Sequence, residues 1–210
     1  MTKIVLVAGG DFDGVLEVAD RYVGVDAGAL HLINHDLPLD LAVGDFDSVN
    51  TEDMTRILKK ATCVIQAPAE KDDTDLELAL KEVFKRFPRA IVRIYAAFGG
   101  RIDHMLANLF LASEPEIAAY MKQIELVDRQ NVICFRPKGT HVLKSIIEMP
   151  YISFMPSDDA CLTIRHAKYP LNAGNYFYKK CYASNEFIGR DMEIELDKGY
   201  VVIIYSKDRN

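Results

Sequence analysis

Acidic side chains gather directly after apolar segments in the first half of the chain. Asp45 and Asp47 follow the apolar segment Leu41–Val43, and a second acidic group follows Cys63–Ile65; it consists of Asp72, Asp73 and Asp75. Two carboxylates about 4 Å apart repel by roughly 4 kcal/mol at an effective dielectric constant of about 20, and a hard divalent cation offsets that repulsion best. The spacing predicts a shared divalent-metal site, with turn formation and helix capping as the alternative use of these residues.

A glycine pair marks a second candidate site. Gly99 and Gly100 follow the apolar segment Ile91–Ala97 and precede Arg101, Asp103 and His104. Paired glycines let backbone N–H groups approach an anion closely, and a guanidinium binds phosphate oxygens through two parallel hydrogen bonds. We therefore expect phosphate binding here, although a tight turn with a surface arginine would have the same pattern.

A third candidate segment follows the apolar run Tyr22–Val25 and contains an acid and a glycine, Asp26 and Gly28. Gly28 serves either ligand contact or close helix–strand packing. The dinucleotide fingerprint, the P-loop motif and the nucleophile elbow are all absent from the sequence. A metal ion that bridges carboxylates to phosphate oxygens reconciles acidic loops with phosphate binding, so the residues indicate metal-dependent chemistry on a phosphorylated substrate.

The elements that must position these residues alternate between strand and helix patterns, which predicts an α/β unit with a mostly parallel sheet. The clearest helix begins at Thr74, where Glu77 completes a capping box, and Ser113 with Glu116 repeats that spacing. The predicted strands of this unit are Ile4–Ala8, Tyr22–Val25, Leu41–Val43, Cys63–Ile65 and Ile91–Ala97.

Beyond Gly139 the pattern has period 2 and no helix of useful length, which predicts an antiparallel β-sandwich. We expect an α/β domain over residues 1–135 and the sandwich over residues 136–210. The charge supports the division, because residues 1–135 hold 14 Lys/Arg against 22 Asp/Glu, whereas residues 136–210 hold 11 against 9. A β unit this small has a marginal core, so we expect it to pack on the first unit or on a partner chain.

Composition excludes several classes of protein. With 50% hydrophobic residues among 210, the chain is not disordered, and its net charge of −6 argues against nucleic-acid binding. The longest N-terminal apolar run is too short for a membrane span or a signal peptide. The four cysteines form no Cys-x-x-Cys pair, which favours free thiols in a reducing cytoplasm.

Taken together and in order, five short motifs resemble those of the thiamin pyrophosphokinase family. They span most of the chain and read Val25-Asp26-Ala27-Gly28-Ala29, Gly44-Asp45-Phe46-Asp47-Ser48, Asp72-Asp73-Thr74-Asp75, Gly99-Gly100-Arg101-Ile102-Asp103-His104 and Ser184-Asn185-Glu186-Phe187. The resemblance implies an α/β unit followed by a β-sandwich, and transfer of a pyrophosphoryl group from ATP to the thiamin hydroxyl with release of AMP.

The resemblance also implies roles for residues. Asp45, Asp47 and Asp75 would hold Mg²⁺ and, with Arg101, act in catalysis. The ATP-binding set would comprise Asp26, Gly28, Lys71, Asp72, Thr74, Gly99, Gly100, Arg101, Asp103 and His104. The general base is left open among Asp72, Asp73 and His104.

The thiamin site is expected in the second unit. By resemblance, Ser184 and Asn185 would contact the pyrimidine ring, and the family works as a homodimer with this site at the interface. The chain has no tryptophan, which some family members use near thiamin, so an aromatic contact would come from Tyr182, Phe187 or Tyr200.

Two other functions remain open. The Asp45-Phe46-Asp47 motif resembles that of aspartate-nucleophile phosphohydrolases, although such a motif normally ends the first strand and the late acidic loop of those enzymes is missing. A non-catalytic nucleotide sensor is the second alternative, but it has less use for carboxylates on two separate strand ends. Formation of AMP that depends on thiamin would distinguish the transferase from both.

Overall fold

A computed structural model describes residues 1–68, 70–157 and 159–209. The chain forms two compact units, Met1–Asp128 and Arg129–Asn210. The division falls earlier than position 135, because the strand Asn131–Leu143 pairs along its whole length within the second unit and takes residues 131–135 with it.

The first unit contains a six-stranded parallel sheet. Its strands pair in the order β6-β5-β1-β2-β3-β4. They are β1 (Lys3–Val7), β2 (Arg21–Val25), β3 (Leu41–Gly44), β4 (Val64–Gln66), β5 (Ile91–Tyr95) and β6 (Ile124–Val127). The chain moves outward from β1 to β4 and returns to the other side of β1 with β5. The carboxyl ends of β1 and β5 therefore flank the point where the strand order reverses, which is where open α/β sheets bind ligands.

Five α-helices connect these strands among the described residues of the first unit. They are α1 (Gly28–Asn34), α2 (Thr51–Lys60), α3 (Asp75–Arg86), α4 (Ile102–Leu109) and α5 (Pro115–Ala118), with 3-10 turns at Leu111–Ser113 and Met121–Gln123. The capping box at Thr74 is confirmed, because its side chain accepts from the Glu77 N–H and the Glu77 carboxylate accepts from the Thr74 N–H. The second predicted box is wrong: Ser113 Oγ donates to the Phe110 carbonyl instead, and Pro115 starts α5.

The core of the first unit lies on the faces of the parallel sheet. The central strand β1 is buried from Ile4 to Val7, and the apolar face of α3 covers the sheet with Leu76, Leu80 and Val83. Strands buried on both faces explain the continuous apolar runs in the sequence. No helix among the described residues is long and apolar enough to cross a membrane.

The second unit is antiparallel. Its strands are β7 (Asn131–Leu143), β8 (Tyr151–Pro156), β9 (Leu162–Arg165), β10 (Tyr182–Glu186) and β11 (Met192–Ser206). β11 pairs with β7 on one side; on the other, its first part pairs with β9 and its last part with β8, which in turn pairs with β10.

The long strands of this unit change register between Leu196 and Tyr200. Gly199 lies within that irregularity at φ +62°, and a Cβ there would come within 2.2 Å of Ser157 Oγ. Buried side chains from both parts of β11, such as Ile194 and Ile203, belong to one hydrophobic cluster. The unit therefore has its own core.

Candidate active site

Backbone conformation is unusual at the carboxyl ends of three parallel strands. Asp26 follows β2 with φ +47°, Phe46 lies just after β3 with φ +58°, and Ala96 follows β5 with φ +54°. Residues other than glycine rarely adopt this conformation, and it costs about 1–3 kcal/mol where it occurs. Such strain is typical of functional sites, and here it lies along the ligand-binding edge of the sheet.

Three carboxylates meet at this edge. Asp26, Asp45 and Asp75 each present an oxygen within 4.8 Å of the others, and all three side chains are partly buried. Asp26 is tied to the loop after β3, because its N–H donates to the Val43 carbonyl and its Oδ1 accepts from the Phe46 N–H. The cluster therefore joins the ends of β2 and β3 to the first turn of α3.

Gly44 makes this approach possible. A Cβ at position 44 would lie 1.9 Å from Asp26 Oδ1, so any side chain there would displace the carboxylate. Sequence reasoning treated Gly44 only as part of a motif. The signal that could have revealed its role is its place between a buried strand and an acid.

The charges of the cluster are only partly compensated. Burial, followed by the charges of Asp75 and Asp45, raises the pKa of Asp26 to about 7. Lys71 Nζ lies 2.9 Å from Asp75 Oδ1 and 3.8 Å from Asp45 Oδ2. Burial lowers the pKa of Lys71, but the contact with Asp75 and the nearby carboxylates raise it overall. One ammonium thus faces three carboxylates.

The donor set fits a hard divalent cation. Among the residues that the structure describes, no donor is aligned for a hydrogen bond to the buried Oδ1 atom of Asp75, although the Lys71 ammonium is in ion-pair contact with it. A buried carboxylate oxygen without an aligned donor, beside two further carboxylates, is suited to Mg²⁺ or a similar ion. Asp26, Asp45 and Asp75 could therefore hold a metal.

Asp47 lies differently from the residues predicted with it. Its side chain is exposed, and its N–H donates to Asp45 Oδ1 at 3.0 Å, so its backbone fixes the Asp45 carboxylate. The structure brings Asp26 rather than Asp47 into the group of three. Asp26 was predicted from sequence only as an ATP contact, and metal ligation by Asp47 stays a prediction.

Two neighbouring acidic residues in the segment before α3, Asp72 and Asp73, lie in different environments. Asp73 binds Lys81 Nζ through both carboxylate oxygens, at 2.9 and 2.8 Å, and Glu116 on α5 contacts the same ammonium. The charge of Asp73 is therefore neutralised by a lysine of α3, the helix that follows it, whereas the Asp72 side chain is exposed. Of the three predicted candidates for the general base, Asp73 has its carboxylate engaged by this ion pair. Sequence reasoning did not single out Lys81.

Thr74, predicted to bind ATP, has a structural role at the start of α3. Its Oγ1 accepts from the Glu77 N–H at 3.2 Å, and its N–H donates to Glu77 Oε2 at 2.7 Å. The capping box fixes the first turn of the helix and with it Asp75. The Thr74 hydroxyl still has its own hydrogen to donate to a ligand.

The loops after β1 and β5 are locked together. The Gly10 N–H donates to the Ala96 carbonyl at 2.8 Å, and the Asp11 N–H donates to the Phe98 carbonyl at 2.9 Å. A Cβ at Gly99, where φ is +93°, would lie 2.4 Å from the Asp11 carboxylate. Within the described residues, the N–H groups of Gly99 and Gly100 have no protein acceptor, which leaves both for a ligand.

Arg101 lies beside that loop and is occupied by an internal partner. Its Nε and Nη2 donate to the two oxygens of Asp103 at 3.1 and 2.5 Å, and its side chain is 72% exposed. The hydrogen bond from Arg101 lowers the pKa of Asp103 to about 2. His104 is exposed beside the pair. The Asp103 carboxylate thus holds the guanidinium of Arg101, the group that is predicted to bind phosphate, in one orientation.

Gly28 serves packing. A Cβ at this position would lie 2.0 Å from the Val7 carbonyl oxygen, so α1 rests directly on β1. The sequence left packing and ligand contact open for Gly28, and the structure supplies the packing reason; contact with ATP stays a prediction.

The predicted thiamin residues lie in the second unit at an irregularity in β10. Ser184 has φ +60° within a register shift between Tyr182 and Asn185, and it is exposed. Asn185 is only 4% exposed, and its amide bonds to the backbone of Tyr169 and Glu186. Ser184 is therefore open to a ligand, whereas the Asn185 side chain is largely engaged within the protein.

These features define an α/β protein with an acidic candidate metal site and, at the same carboxyl edge of the parallel sheet, a glycine loop whose backbone N–H groups are open to a ligand. Two family models match the chain: the catalytic domain of thiamin pyrophosphokinase over residues 9–127 and its vitamin B1 binding domain over residues 140–201. The chain belongs to the thiamin pyrophosphokinase family.

Known relatives agree with this assignment. A thiamine pyrophosphokinase of Bacillus subtilis is 35% identical over 99% of this chain and 100% of its own length. Among solved structures, a thiamin pyrophosphokinase family protein from Enterococcus faecalis is 42% identical with a TM-score of 0.90, covering 99% of this chain and 100% of that one. The enzyme from Geobacillus thermodenitrificans is 30% identical with a TM-score of 0.82 and covers 99% of both chains. Family and relatives indicate ATP:thiamin diphosphotransferase activity.

Proposed function

We propose that the protein transfers the pyrophosphoryl group of ATP to thiamin at the carboxyl edge of its parallel sheet. The single observation that carries this proposal is the meeting of Asp26, Asp45 and Asp75 within 4.8 Å. A cluster of three acids with one lysine is suited to a substrate that brings a metal ion and phosphates together. ATP as substrate supports a cytoplasmic location.

The reaction displaces AMP. The thiamin hydroxyl oxygen attacks the β-phosphorus, the bond from that phosphorus to the oxygen bridging to the α-phosphate breaks, and AMP leaves with the electron pair. The hydroxyl proton passes to a base, for which exposed Asp72 and His104 are the remaining candidates. Catalysis of this kind depends mainly on positioning and charge stabilisation.

Each loop has a part in that scheme. The N–H groups of Gly99 and Gly100 would donate to phosphate oxygens, and Arg101 would exchange one or both Asp103 contacts for the transferring group. Lys71 would turn from Asp75 toward a phosphate once the carboxylates are otherwise neutralised. Mg²⁺ held by Asp26, Asp45 and Asp75, with Asp47 next to it, would supply charge neutralisation of the phosphates.

The second unit would bind thiamin as an antiparallel β-sandwich, with Ser184 as a direct contact. We further propose a homodimer in which the phosphate site of one chain and the Ser184 segment of its partner form one active site. The family resemblance supports this arrangement, as does the small size of the β unit.

Mixing two inactive variants tests the shared site. Asp45→Asn removes a carboxylate of the cluster, and Ser184→Arg places bulk and positive charge where a cationic substrate would enter. Free exchange of subunits puts half of the dimers in mixed form, each with one intact site of two, so about a quarter of wild-type activity should return. Subunit exchange shown by tagged pull-down, without recovery of activity, would contradict a shared site.

The two alternative functions receive no support from the comparisons. Product analysis by mass spectrometry with ATP, Mg²⁺ and thiamin tests the proposal against both. We expect AMP and thiamin diphosphate in equal amounts, and neither when thiamin is omitted. Inorganic phosphate formed without thiamin would indicate a phosphohydrolase, and unchanged ATP would indicate a sensor.

A further inference from the structure

Four consecutive carbonyl groups at the end of β5 each accept a hydrogen bond from another segment. They belong to Tyr95, Ala96, Ala97 and Phe98, and their donors are the N–H groups of Ala8, Gly10 and Asp11 and the side chain of Asn108. The three N–H donors come from the segment that follows β1. The side-chain donor is Nδ2 of Asn108 on α4, which lies 2.7 Å from the Ala97 carbonyl oxygen.

The N–H groups that come next along the chain are open. Within the described part of the chain, the N–H groups of Phe98, Gly99 and Gly100 have no protein acceptor. A segment whose carbonyl groups are engaged while successive N–H groups stay open presents hydrogen-bond donors, and such a row of N–H groups is suited to an anion. The Phe98 N–H thus extends the row formed by the two glycines.

A hydrogen bond that fixes a carbonyl group also fixes the N–H group of the next residue. A peptide bond is planar and trans, so the C=O of one residue and the N–H of the next point in opposite directions. The Asp11 N–H holds the Phe98 carbonyl and therefore directs the Gly99 N–H. In the same way, Asn108 holds the Ala97 carbonyl and directs the Phe98 N–H.

The loop between β5 and α4 has few other supports. No residue of α4 is buried, and Ile102 and Leu106 are 69% and 42% exposed. A Cβ at Gly100 would meet no atom of the described residues within 4 Å. The partly buried Asn108 side chain returns to a residue 11 positions earlier in the chain. It therefore closes the loop that carries the open N–H groups.

We infer that Asn108 is a positioning residue: its amide holds the Ala97 carbonyl so that the Phe98 N–H donates to a phosphate oxygen of ATP. The N–H groups of Gly99 and Gly100 complete the row of donors. The inference rests on the proposed function and adds one side chain and one backbone donor to it. Asn108 itself touches no substrate and acts through the Ala97-Phe98 peptide bond.

The sequence allows this peptide bond to be observed by itself. Ala97-Phe98 is the only Ala-Phe pair in the chain, so isotope labels on alanine carbonyls and phenylalanine amides give a single NMR cross-peak. Titration with Mg²⁺ and α,β-methylene-ATP should move the amide proton of this peak saturably to higher frequency, because the proton enters a hydrogen bond to an anion. Adenosine, which lacks phosphates, should leave the peak in place. No response to α,β-methylene-ATP, or an equal response to adenosine, would overturn the inference.

Asn108→Leu removes the donor and keeps a side chain of similar size. The Ala97-Phe98 peak of this variant should lose most of its response at saturating α,β-methylene-ATP. Phe98-Gly99 is the only Phe-Gly pair in the chain and provides an internal control. Its peak should respond as in the wild type, because the Asp11 N–H still holds the Phe98 carbonyl. A surviving Ala97-Phe98 response, or loss of both responses, would contradict the assigned role of Asn108.

Steady-state kinetics separate positioning from stability. Asn108→Leu should raise the KM for ATP about tenfold, the order expected for loss of one hydrogen bond to a charged group, and leave the KM for thiamin unchanged. Gln123→Met is the matched control, because Gln123 Nε2 donates to the Ala90 carbonyl at 2.7 Å, just before β5 begins. It should leave both KM values unchanged. Equal KM changes in the two variants would limit Asn108 to a structural role.

The titration of the wild type does not depend on any variant. Should Asn108→Leu fail to fold, the response of the wild-type Ala97-Phe98 peak decides alone. A wild-type enzyme that makes no thiamin diphosphate would refute the proposed function. An active enzyme whose Ala97-Phe98 peak does not respond to α,β-methylene-ATP would refute only this inference.

Discussion

The acids at the end of the parallel sheet and the amide at the edge of β10 differ in how far the protein satisfies them. Asp26, Asp45 and Asp75 share one ammonium, and a buried oxygen of Asp75 has no aligned donor among the described residues. Asn185 is more deeply buried, yet three of its hydrogen bonds are made to backbone. Buried polar groups whose hydrogen bonds or charges the protein does not satisfy indicate a ligand site. Those whose hydrogen bonds are all made within the protein indicate a structural role.

The same contrast exists between two acids of one segment, Asp73 and Asp75, which are separated by a single residue. Asp73 is bound at both oxygens by Lys81, whereas Asp75 faces two other carboxylates. Both residues come from one acidic stretch of sequence, and the fold gives them different uses.

The largest expected effect is that of Asp75→Asn. Turnover should fall about a thousandfold, the equivalent of about 4 kcal/mol of transition-state stabilisation, because an amide holds a divalent cation poorly. The matched variant Asp73→Asn should fall by much less. Steady-state rates at saturating Mg²⁺ measure both, and equal losses would erase the distinction between the two acids.

The next largest effect is expected for Arg101→Lys. Its turnover should fall about a hundredfold, which approaches the loss expected for Arg101→Ala. In the structure the Arg101 guanidinium donates two hydrogen bonds to Asp103. The ammonium of a lysine is a point charge and does not reproduce such a pair of parallel hydrogen bonds to a phosphate. Rates at saturating ATP test this, with Arg89→Lys on the surface of the same unit as the control. Wild-type turnover in Arg101→Lys would reduce this residue to a surface charge.

A comparison of Asp26→Asn with Asp47→Asn decides which of the two completes the metal site. Both should lose activity, but only Asp26→Asn should raise the melting temperature of the metal-free protein, by about a few degrees at a pH of about 8.5, because above the Asp26 pKa of about 7 the change removes a buried charge beside Asp45 and Asp75. Thermal unfolding in EDTA measures the difference. A rise in Asp47→Asn with none in Asp26→Asn would reverse the assignment.

The smallest effect is expected for Lys81→Met. This change leaves Asp73 and Glu116 without their shared partner, so activity should fall about tenfold through misplacement of Asp75, with a recovery in Lys81→Arg. The apparent KM for Mg²⁺ should rise, which loss of stability alone would not cause. An unchanged Mg²⁺ dependence would limit Lys81 to a structural role.

The sequence predicted the α/β unit and the helix at Thr74 because apolar runs and a capping box are local signals. It also predicted that acids at different strand ends would meet, since carboxyl ends of parallel strands share one edge. The choice of Asp26 over Asp47 depends on the positive φ at Asp26 and Phe46 and on the room left by Gly44. Such conformations are set by tertiary structure and have no local sequence signal.

The pairing of Asp73 with Lys81 was less visible for another reason. Lys81 is eight residues away on the chain and reaches back past the first turn of α3, so an i,i+4 pattern does not reveal it. Asn185 was found, but its partner Tyr169 lies 16 residues earlier and meets it only through strand pairing.

A direct measurement of metal binding tests the central distinction between the acids of the cluster, Asp45 and Asp75, and the ion-paired Asp73. Mn²⁺, detected by electron paramagnetic resonance, would be titrated in the presence of α,β-methylene-ATP, in which the bond to be broken is replaced by a stable one. We predict saturable binding to the wild type and to Asp73→Asn, and at least tenfold weaker binding to Asp45→Asn and Asp75→Asn. Unchanged Mn²⁺ affinity in Asp45→Asn and Asp75→Asn, both shown to be folded, would contradict the metal site.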